Sequence, residues 1–497
     1  METVAVLGLD ALPFRVLDKF SEDGIAQNIF GEKEKRRAVK LTAIPPITPA
    51  SWPSIMSGVN PGKHGLFSFF HYDRRTHEQK LVTAYELEHP RIHEMLSFEG
   101  VESFVLNPIP DYPLLPSRRA RIIANLFFTP DPRSHPAGLH ERYFDGMRWP
   151  PKRNPGYYKE YLSHVLGLVE DLAREKPPLA WINVNFPDAI YHKFPETIDK
   201  PSKVRKLWDI VDKIASTLRQ EFDHVLVVSD HGFRIFKYRV NVNDILERHG
   251  YVVRAGEETE RVVEEELVKA KKSGTSRINV PTWFYKLVGR LGLEPFARKV
   301  FYNYIRPLYS KLTGKTLVVR SGASIDLHAS KAYMPYGGAY GVYLKPGVNI
   351  DEVMSVLKKY RGLLVWRREE VYSGPHVGRG PDIVLVGDHE NGYVLGPARL
   401  IGEVYTRTDY PGHDMWGVVI PVSGFDNINW DIVRDQGIPN SLVTPLIQCT
   451  LGLPVSHMVD HMGKLTDLCG GAAVRRKNYL GKFLISKKIA LRRTSFK

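Results

Sequence analysis

Apolar residues along the chain form short, uninterrupted runs that are separated by polar segments. Runs without polar alternation are typical of strands buried on both faces of a sheet. Two longer segments, 157–174 and 202–222, instead have the apolar spacing of amphipathic helices. Because strands alternate with helices, the pattern predicts an α/β fold with a mostly parallel sheet. The predicted strands are 3–9, 102–106, 179–184, 223–228, 382–386 and 416–422.

The segment 236–322 interrupts this pattern. It is rich in Lys, Arg and Glu and then in aromatic residues, and none of its runs resembles a buried parallel strand. Within it, residues 257–272 have the spacing of an amphipathic helix, and residues 281–312 have that of two further helices. We therefore predict a catalytic core of residues 1–235 and 323–466 with an inserted helical cap. The aromatic and basic residues of the cap are expected to pack between helices, and contact with substrate or membrane is the alternative.

The composition is that of an ordinary globular protein, with 43% hydrophobic and 25% charged residues among 497. No window reaches about 18 uninterrupted apolar residues, the length that a membrane-spanning helix requires. The first apolar run is short, ends at Asp10 and lacks the basic start of a signal peptide. Cys449 and Cys469 are too few for a disulfide framework or a cysteine zinc site. We therefore expect a cytoplasmic protein without a transmembrane segment.

The net charge is +14, and much of it lies at the C-terminus. After Asp467 the sequence contains nine basic residues and no acidic residue. We treat residues 467–497 as a basic tail and expect it to be solvated and partly disordered. Weak contact with an anionic membrane or with nucleic acid is the alternative for such a tail.

Three predicted strands are followed by an aspartate, namely Asp10, Asp188 and Asp230. In open parallel sheets, ligands bind outside the carboxyl ends of the strands, so we expect the three carboxylates at one edge. A single aspartate at a strand end is usually only a turn or cap residue. The joint occurrence of the three aspartates with the histidines described below favours a cation site.

Histidines accompany these carboxylates at specific positions. His192 follows Asp188 by four residues, which places both on one face if a helix starts there. His231 follows Asp230 directly, and His413 lies in a predicted glycine-containing loop before the last apolar run. Carboxylate and imidazole together suit zinc or another first-row divalent ion. The set predicts a catalytic, partly open metal centre.

Thr48 is the candidate nucleophile. It lies in a proline-stiffened turn before a predicted helix over 51–57, so its hydroxyl would be near a helix N-terminus, which favours anions. A threonine hydroxyl needs activation, and coordination to a divalent metal lowers its pKa without a histidine base. Taken alone, this neighbourhood fits a simple cap or turn residue better.

Together these residues resemble the alkaline phosphatase superfamily, and most closely its type I phosphodiesterase/nucleotide pyrophosphatase family. Each motif is weakly specific alone, but their order and spacing span about residues 4–463. The resemblance implies a three-layer α/β/α sandwich with a mostly parallel central sheet. The motifs are Gly8-Leu9-Asp10, Pro46-Ile47-Thr48-Pro49, Pro61-Gly62-Lys63-His64-Gly65, Asp188-x3-His192, Ser229-Asp230-His231-Gly232-Phe233 and Gly412-His413.

The resemblance also implies a two-metal phosphoester hydrolase with ions about 4 Å apart. Zinc is the favoured metal, and manganese or another first-row ion is the alternative. Thr48 would attack phosphorus to form a phosphothreonine, which water then hydrolyses. The implied substrate is a small phosphate ester, such as a nucleotide or a phospho-headgroup. The implied ligands are Asp10, Thr48, Asp230 and His231 for one ion, and Asp188, His192 and His413 for the other.

Two positions leave parts of this prediction open. Family members usually carry Asn three residues after the nucleophile, where it binds a phosphate oxygen. Here Ser51 takes that position and offers one hydroxyl donor, which puts a nucleotide substrate in doubt. His376 competes with His413 as the third ligand of the second ion, although the glycine turn favours His413.

Other functions are also compatible with the sequence. A phosphomonoesterase or a phosphoglycerate mutase-like enzyme would share the metal ligands but usually uses serine as its nucleophile. A transferase of phospho-headgroups at a membrane surface would use the basic tail as an anchor. A binding protein without catalysis is the last alternative.

Overall fold

The computed structural model describes residues 1–125, 132–148, 152–256, 275–279, 316–320, 323–471 and 473–494. A nine-stranded sheet lies at the centre of this part of the chain. With strands numbered in chain order, the central sheet contains β1 (Val4–Leu9), β2 (Val39–Thr42), β5 (Ser103–Leu106), β6 (Ala120–Ala124), β7 (Arg133–His135), β8 (Leu179–Val184), β9 (His224–Val228), β21 (Trp416–Ser423) and β22 (Ile438–Pro439).

The order across this sheet is β22-β2-β21-β9-β1-β8-β5-β6-β7. The five strands from β9 to β6 are mutually parallel, so the prediction of a mostly parallel sheet is confirmed. β21 departs from the prediction, because it runs antiparallel to both β9 and β2.

Helices cover both faces of the sheet. Alternate residues of β1 belong to different cores: Leu7 packs with Trp208 on one face, and Val6 packs with Trp52 on the other. This explains why β1 is apolar and buried at every position. The helices are α1 (Leu17–Glu22), α2 (Gln27–Phe30), α3 (Glu32–Arg37), α4 (Thr48–Ser57), α5 (Pro61–His64), α6 (Ile92–Phe98), α7 (Leu139–Phe144), α8 (Pro155–Glu175), α9 (Asp188–Tyr191), α10 (Arg205–Glu221), α11 (Val242–Arg248), α12 (Ile350–Lys358), α13 (Arg368–Val371), α14 (Val443–Thr450), α15 (Met462–Leu468) and α16 (Leu480–Thr494).

The remaining strands form smaller sheets beside the central one. The predicted strand 382–386 exists, but it lies in the four-stranded sheet β15-β16-β18-β17, whose strands pair antiparallel. The bounds are β3 (Phe70–Tyr72), β4 (Gln79–Leu81), β10 (Gly232–Val240), β11 (Val253–Arg254), β12 (Thr275–Asn279), β13 (Thr316–Arg320), β14 (Ile325–Asp326), β15 (Ala332–Tyr333), β16 (Gly341–Leu344), β17 (Leu363–Arg367), β18 (Ile383–Gly387), β19 (Tyr393–Leu395), β20 (Tyr405–Asp414), β23 (Val455–Ser456) and β24 (Arg476–Lys477).

The predicted cap is described only in part. Its predicted first residue, 236, falls inside β10, which continues to Val240 and pairs with β20. Within the segment, β12 and β13 pair in parallel as a separate two-stranded sheet. The predicted helices over 257–272 and 281–312 lie outside the described residues, so the helical cap stays a prediction.

The C-terminal segment differs from the solvated tail that its charge predicted. Tyr479 and Phe483 are buried in the core on the α4 face of the sheet, and residues 480–494 form α16. A disulfide joins Cys449 to Cys469, whose Cα atoms are 6.5 Å apart. Among the described helices, none has the length and hydrophobicity that a bilayer crossing requires.

Candidate metal centre

The sheet brings the three strand-end aspartates to one edge. β9, β1 and β8 are neighbours, and they are followed by Asp230, Asp10 and Asp188 respectively. The backbone continues this pairing beyond the strands, since Asp188 N–H donates to the Asp10 carbonyl at 3.0 Å. All three side chains are buried. The parallel register therefore places the carboxylates side by side.

Asp10, Asp230 and His231 form the first cluster of possible ligands. Each offers an atom within 4.8 Å of the others. His231 Nε2 lies 3.3 Å from Asp230 Oδ2 and 3.7 Å from Asp10 Oδ1. The Ala11 N–H donates to Asp230 Oδ1 at 3.2 Å, which fixes this carboxylate and leaves Oδ2 towards the cluster.

Asp188, His192 and His413 form the second cluster, by the same distance criterion. His192 Nε2 and His413 Nε2 lie 3.2 and 3.4 Å from Asp188 Oδ1. The sequence predicts a loop at His413, but this residue lies in β20, opposite Phe233 of β10. The structure thus brings together the predicted residues from the ends of β8 and β20.

A buried ion pair supports the strand that carries His413. The Arg234 side chain on β10 donates from Nε to Asp414 Oδ2 at 2.7 Å, and its Nη2 lies 2.6 Å from the same oxygen. Asp414 is the residue after His413, so this contact between β10 and β20 restrains the backbone beside the imidazole. A planar guanidinium is well suited to such directional contact.

Thr48 is the first residue of α4 and is buried beside the first cluster. Ile47 is extended and Pro49 occupies the first turn, which starts the helix at Thr48 and not at the predicted residue 51. Thr48 Oγ1 lies 3.3 Å from His231 Nε2. The predicted nucleophile and the first cluster are therefore in direct contact.

The two clustered histidines that adjoin Thr48 present nitrogen lone pairs to the centre. His231 Nδ1 donates to the Gly232 carbonyl at 3.0 Å, and His413 Nδ1 donates to the Pro46 carbonyl at 3.1 Å. Burial, and then the charge of His413, hold the pKa of His231 well below its usual range. With Nδ1 protonated, Nε2 of each ring is free to accept a proton or bind a cation.

The carboxylates respond differently to their surroundings. Burial raises the pKa of Asp10 well above its usual range, and the charges of Asp230 and Asp188 raise it further. Burial likewise raises the pKa of Asp230. Burial would also raise the pKa of Asp188, but the imidazoles of His192 and His413 hold it well below its usual range. Three buried negative charges so close together require positive charge nearby.

The residues fit a divalent cation in each cluster. Asp10 Oδ1, Asp188 Oδ1 and Asp230 Oδ2 are buried, and none has a hydrogen-bond partner among the described residues. Such oxygens are costly to bury without a donor or a cation. Mixed oxygen and nitrogen donors suit zinc and other first-row divalent ions.

Asn185 connects the two clusters, although it was not among the site residues predicted from the sequence. Its Nδ2 donates to Asp10 Oδ2 at 3.2 Å and to Asp188 Oδ2 at 3.4 Å. The Tyr158 hydroxyl donates to Asn185 Oδ1 at 3.0 Å and so orients the amide. The signal was its place directly after β8, three residues before Asp188, where the parallel sheet would also deliver it to the edge.

Two other residues predicted from the sequence, Ser51 and His376, belong to neither cluster. Ser51 is buried on α4, and its hydroxyl donates to the Pro45 carbonyl at 3.3 Å. His376 belongs to neither metal-capable cluster among the described residues. Its backbone N–H donates to the Gly62 carbonyl at 2.8 Å, and burial, followed by the charge of Arg379, lowers the pKa of its ring.

Comparison with known proteins identifies the family of this chain. The model of the type I phosphodiesterase/nucleotide pyrophosphatase family matches residues 4–397, most of the chain. The chain belongs to this family. Type I phosphodiesterases are phosphoester hydrolases of the alkaline phosphatase superfamily, so the chain is an enzyme of that class. Members of the family are metalloenzymes. A search among curated proteins finds no match to this chain.

Solved structures with a similar fold include phosphonoacetate hydrolase from Sinorhizobium meliloti 1021. Its complex with phosphonoformate has a TM-score of 0.55 at 15% identity, over 90% of this chain and 95% of the hydrolase. An inactive variant of murine ectonucleotide pyrophosphatase/phosphodiesterase 5, in complex with AMP, has a TM-score of 0.48 at 12% identity, over 94% and 100% of the two chains. The phosphonoacetate hydrolase likeness confirms the alkaline-phosphatase-like fold.

Proposed function

We propose that this chain is a phosphodiesterase or nucleotide pyrophosphatase that uses Thr48 as nucleophile and two divalent metal ions. The observation that carries the proposal is the contact of Thr48 Oγ1 with His231 Nε2, 3.3 Å away, beside clusters whose buried carboxylate oxygens lack a hydrogen-bond partner among the described residues. The first ion would be held by Asp10, Thr48, Asp230 and His231, and the second by Asp188, His192 and His413. The donor set favours zinc, with manganese or another first-row ion as the alternative.

The residues of the chain divide the chemistry between them. Thr48 Oγ1 attacks phosphorus and forms an Oγ1–P bond, and its hydroxyl proton passes to solvent. The bond from phosphorus to the leaving oxygen breaks, and that oxygen takes a proton from solvent and departs as the alcohol. Water then attacks the phosphothreonine, breaks the Oγ1–P bond and restores the hydroxyl. When bound, the cations would lower the pKa of the Thr48 hydroxyl and offset the negative charge of the phosphoryl group. His231 and Asn185 keep the ligands oriented through their own hydrogen bonds.

The position of Thr48 at the start of α4 supports a phosphate substrate. The N-terminus of a ten-residue helix carries partial positive charge and favours a bound anion. Ser51 would contact the phosphate only if its hydroxyl turned away from the Pro45 carbonyl, which it now contacts. Because the nucleophile is a threonine, we propose a small phosphodiester as substrate. Since Ser51 replaces the usual Asn, both a nucleotide and a phospho-headgroup stay candidates for its specific form. We further propose a cytoplasmic location.

Chromogenic esters test this proposal directly. The metal-free protein is mixed with Zn²⁺, Mn²⁺ or Mg²⁺, and hydrolysis of bis-p-nitrophenyl phosphate is compared with that of p-nitrophenyl phosphate. We expect activity only with added metal, highest with zinc or manganese, and a preference for the diester. Thymidine 5′-monophosphate p-nitrophenyl ester tests the nucleotide form. Equal activity without metal, or a preference for the monoester, would contradict the proposal.

A further inference from the structure

The C-terminal helix α16 is held on the protein by one of its faces. Phe483 is buried in the core, and Ala490 packs against the same core from the next turns. Between them, Lys487 Nζ donates to the Leu87 carbonyl at 2.7 Å. Tyr479, just before the helix, donates from its hydroxyl to the Pro454 carbonyl at 3.0 Å. These contacts fix the orientation of the helix and therefore which side faces outward.

The outward face of α16 is apolar where a solvated helix would be polar. Ile485 is 62% exposed, Ile489 is 51% exposed and Leu484 is 40% exposed. Ile485 and Ile489 are four residues apart and lie on the side opposite Phe483. Three of the ten large hydrophobic residues that are exposed in the described structure thus lie within six positions. A clustered exposed apolar face of this kind usually marks an interaction surface.

Lysines surround these apolar residues without acidic neighbours on the helix. Lys482 and Lys488 are exposed, and the sequence has nine basic residues and no acidic one after Asp467. Arg118, also exposed, lines the same cleft as Phe483 and Lys487. The face therefore combines aliphatic side chains with uncompensated positive charge.

Three acidic side chains of the body near this helix are already paired with cations outside it, and a fourth, Glu86, faces Lys487 on the anchored side and accepts from the Thr83 hydroxyl. Glu99 Oε1 lies 2.7 Å from Lys477 Nζ, and Glu88 Oε1 accepts from Arg379 at 2.9 Å. Glu94 accepts from Arg91 at 2.8 Å and is buried. These carboxylates leave the positive charge of the outward face uncancelled.

We infer that the outward face of α16 docks on a lipid bilayer that contains anionic lipids. Ile485, Ile489 and Leu484 would enter the boundary between headgroups and acyl chains, while Lys482 and Lys488 contact lipid phosphates. Helices with aliphatic residues on one side and lysines at its edges bind in the plane of the interface. Nucleic acid would attract the lysines but gains nothing from exposed isoleucines. This inference does not depend on the identity of the hydrolysed ester.

Flotation with lipid vesicles tests the inference on the full-length, metal-loaded protein. Phosphatidylcholine vesicles with and without phosphatidylglycerol are compared at low and high salt. We expect binding to the anionic vesicles that weakens at high salt, because the lysine contacts are screened. The paired substitution Ile485→Ser with Ile489→Ser should lower the vesicle partition coefficient roughly tenfold or more. Its diester hydrolysis in solution should equal that of the wild type, which shows that it folds.

Ile432→Ser is the matched control, because Ile432 is 41% exposed but lies outside α16. We expect it to bind vesicles like the wild type. Three results would overturn the inference: no binding to anionic vesicles at low salt, unchanged binding by the Ile485/Ile489 variant, or equal binding to both lipid compositions. Tight binding to duplex DNA without vesicle binding would assign the face to nucleic acid. A dimer in light scattering that the paired substitution abolishes would assign it to a second copy.

Discussion

The Nε2 atoms of His192 and His413 lie 3.1 Å apart, although the two residues are 221 positions apart in the sequence. Both also lie within 3.4 Å of Asp188 Oδ1. Because the Nδ1–H of His413 donates to the Pro46 carbonyl, its Nε2 faces the other ring as a lone pair. Three donor atoms that converge in this way, from α9, its C-terminal end and β20, are arranged as ligands of one cation.

His413→Ala should therefore remove one of the two bound metal ions. We expect elemental analysis after dialysis against zinc to give two ions per wild-type chain and about one for the variant. His376→Ala is the control, since His376 belongs to neither cluster. Loss of metal in the His376 variant, with retention in the His413 variant, would reverse the assignment of the third ligand.

Asn185→Ala should weaken catalysis without removing any metal ligand. The amide donates to a carboxylate in each cluster, and such supporting contacts typically account for about 10- to 100-fold in metal affinity or activity. Tyr158→Phe should have the same effect in weaker form, because it removes the bond that orients the amide.

Tyr161→Phe provides the matched control for these variants. Tyr161 lies on the same helix, but its hydroxyl donates to Asn125 and does not contact Asn185. We expect its turnover and zinc affinity to match the wild type. If Asn185→Ala and Tyr161→Phe lose turnover equally, general damage to the α8 packing would explain both, and the bridging role of Asn185 would be wrong.

Asp230→Asn should stabilise the metal-free protein while it abolishes activity. Burial and the neighbouring charges raise the pKa of both Asp10 and Asp230, so the folded state without metal carries unfavourable negative charge. The amide removes one charge, and its carbonyl can still accept from the Ala11 N–H. In urea unfolding with a chelator present, the free energy of unfolding of Asp230→Asn should exceed that of the wild type by roughly 1–3 kcal/mol.

The same variant should lose the stabilisation that zinc gives to the wild type. Thermal unfolding with and without zinc measures this directly. A destabilised metal-free variant would show that the carboxylates are not in electrostatic conflict in the folded protein, and it would weaken the case for the cation.

His93 should make the stability depend on pH. The side chain is fully buried, and burial lowers its pKa from 6.5 to about 4, with smaller effects from Glu94 and Arg91. The unfolded chain therefore binds a proton between pH 6.5 and 4 that the folded chain does not. The free energy of unfolding therefore has its full value above pH 6.5. Below that pH it decreases by about 1.4 kcal/mol for each pH unit, until the folded chain also binds the proton near pH 4.

His93→Leu isolates this contribution from the other titrating groups. Urea unfolding of the metal-free wild type and variant is compared from pH 7 to 4. The difference in unfolding free energy should shift by about 3 kcal/mol in favour of the variant by pH 4. Parallel pH curves would contradict the prediction, and they would indicate that His93 accepts its proton in the folded state.

The strand-end aspartates could be predicted from the sequence because their position depends only on where each strand ends in the chain. Once a parallel sheet was indicated by continuous apolar runs, Asp10, Asp188 and Asp230 had to meet at its carboxyl edge. His413 was also a predicted ligand, but the sequence predicted a loop there and not a strand. Pro411 and Gly412 favour a turn, yet both lie in β20, because pairing with β10 outweighs their low strand propensity.

Long-range contacts explain what the sequence could not predict. Residues 382–386 are as apolar as a central strand, but their antiparallel partners in β16 and β17 place them in another sheet. The C-terminal segment is dominated by positive charge, and its anchoring depends on two aromatic residues, Tyr479 and Phe483. Local composition does not specify the distant surface against which such residues pack.

Turnover of bis-p-nitrophenyl phosphate by Thr48→Ala, measured with metal content, tests the central claim most directly. Thr48→Ser keeps a hydroxyl, and Ser54→Ala changes a buried hydroxyl of the same helix that contacts His64 instead. We expect Thr48→Ala to lose roughly a thousandfold or more in turnover while both ions stay bound, with measurable activity in the other two variants. Turnover of Thr48→Ala near the wild-type value, with both metals bound, would contradict the account.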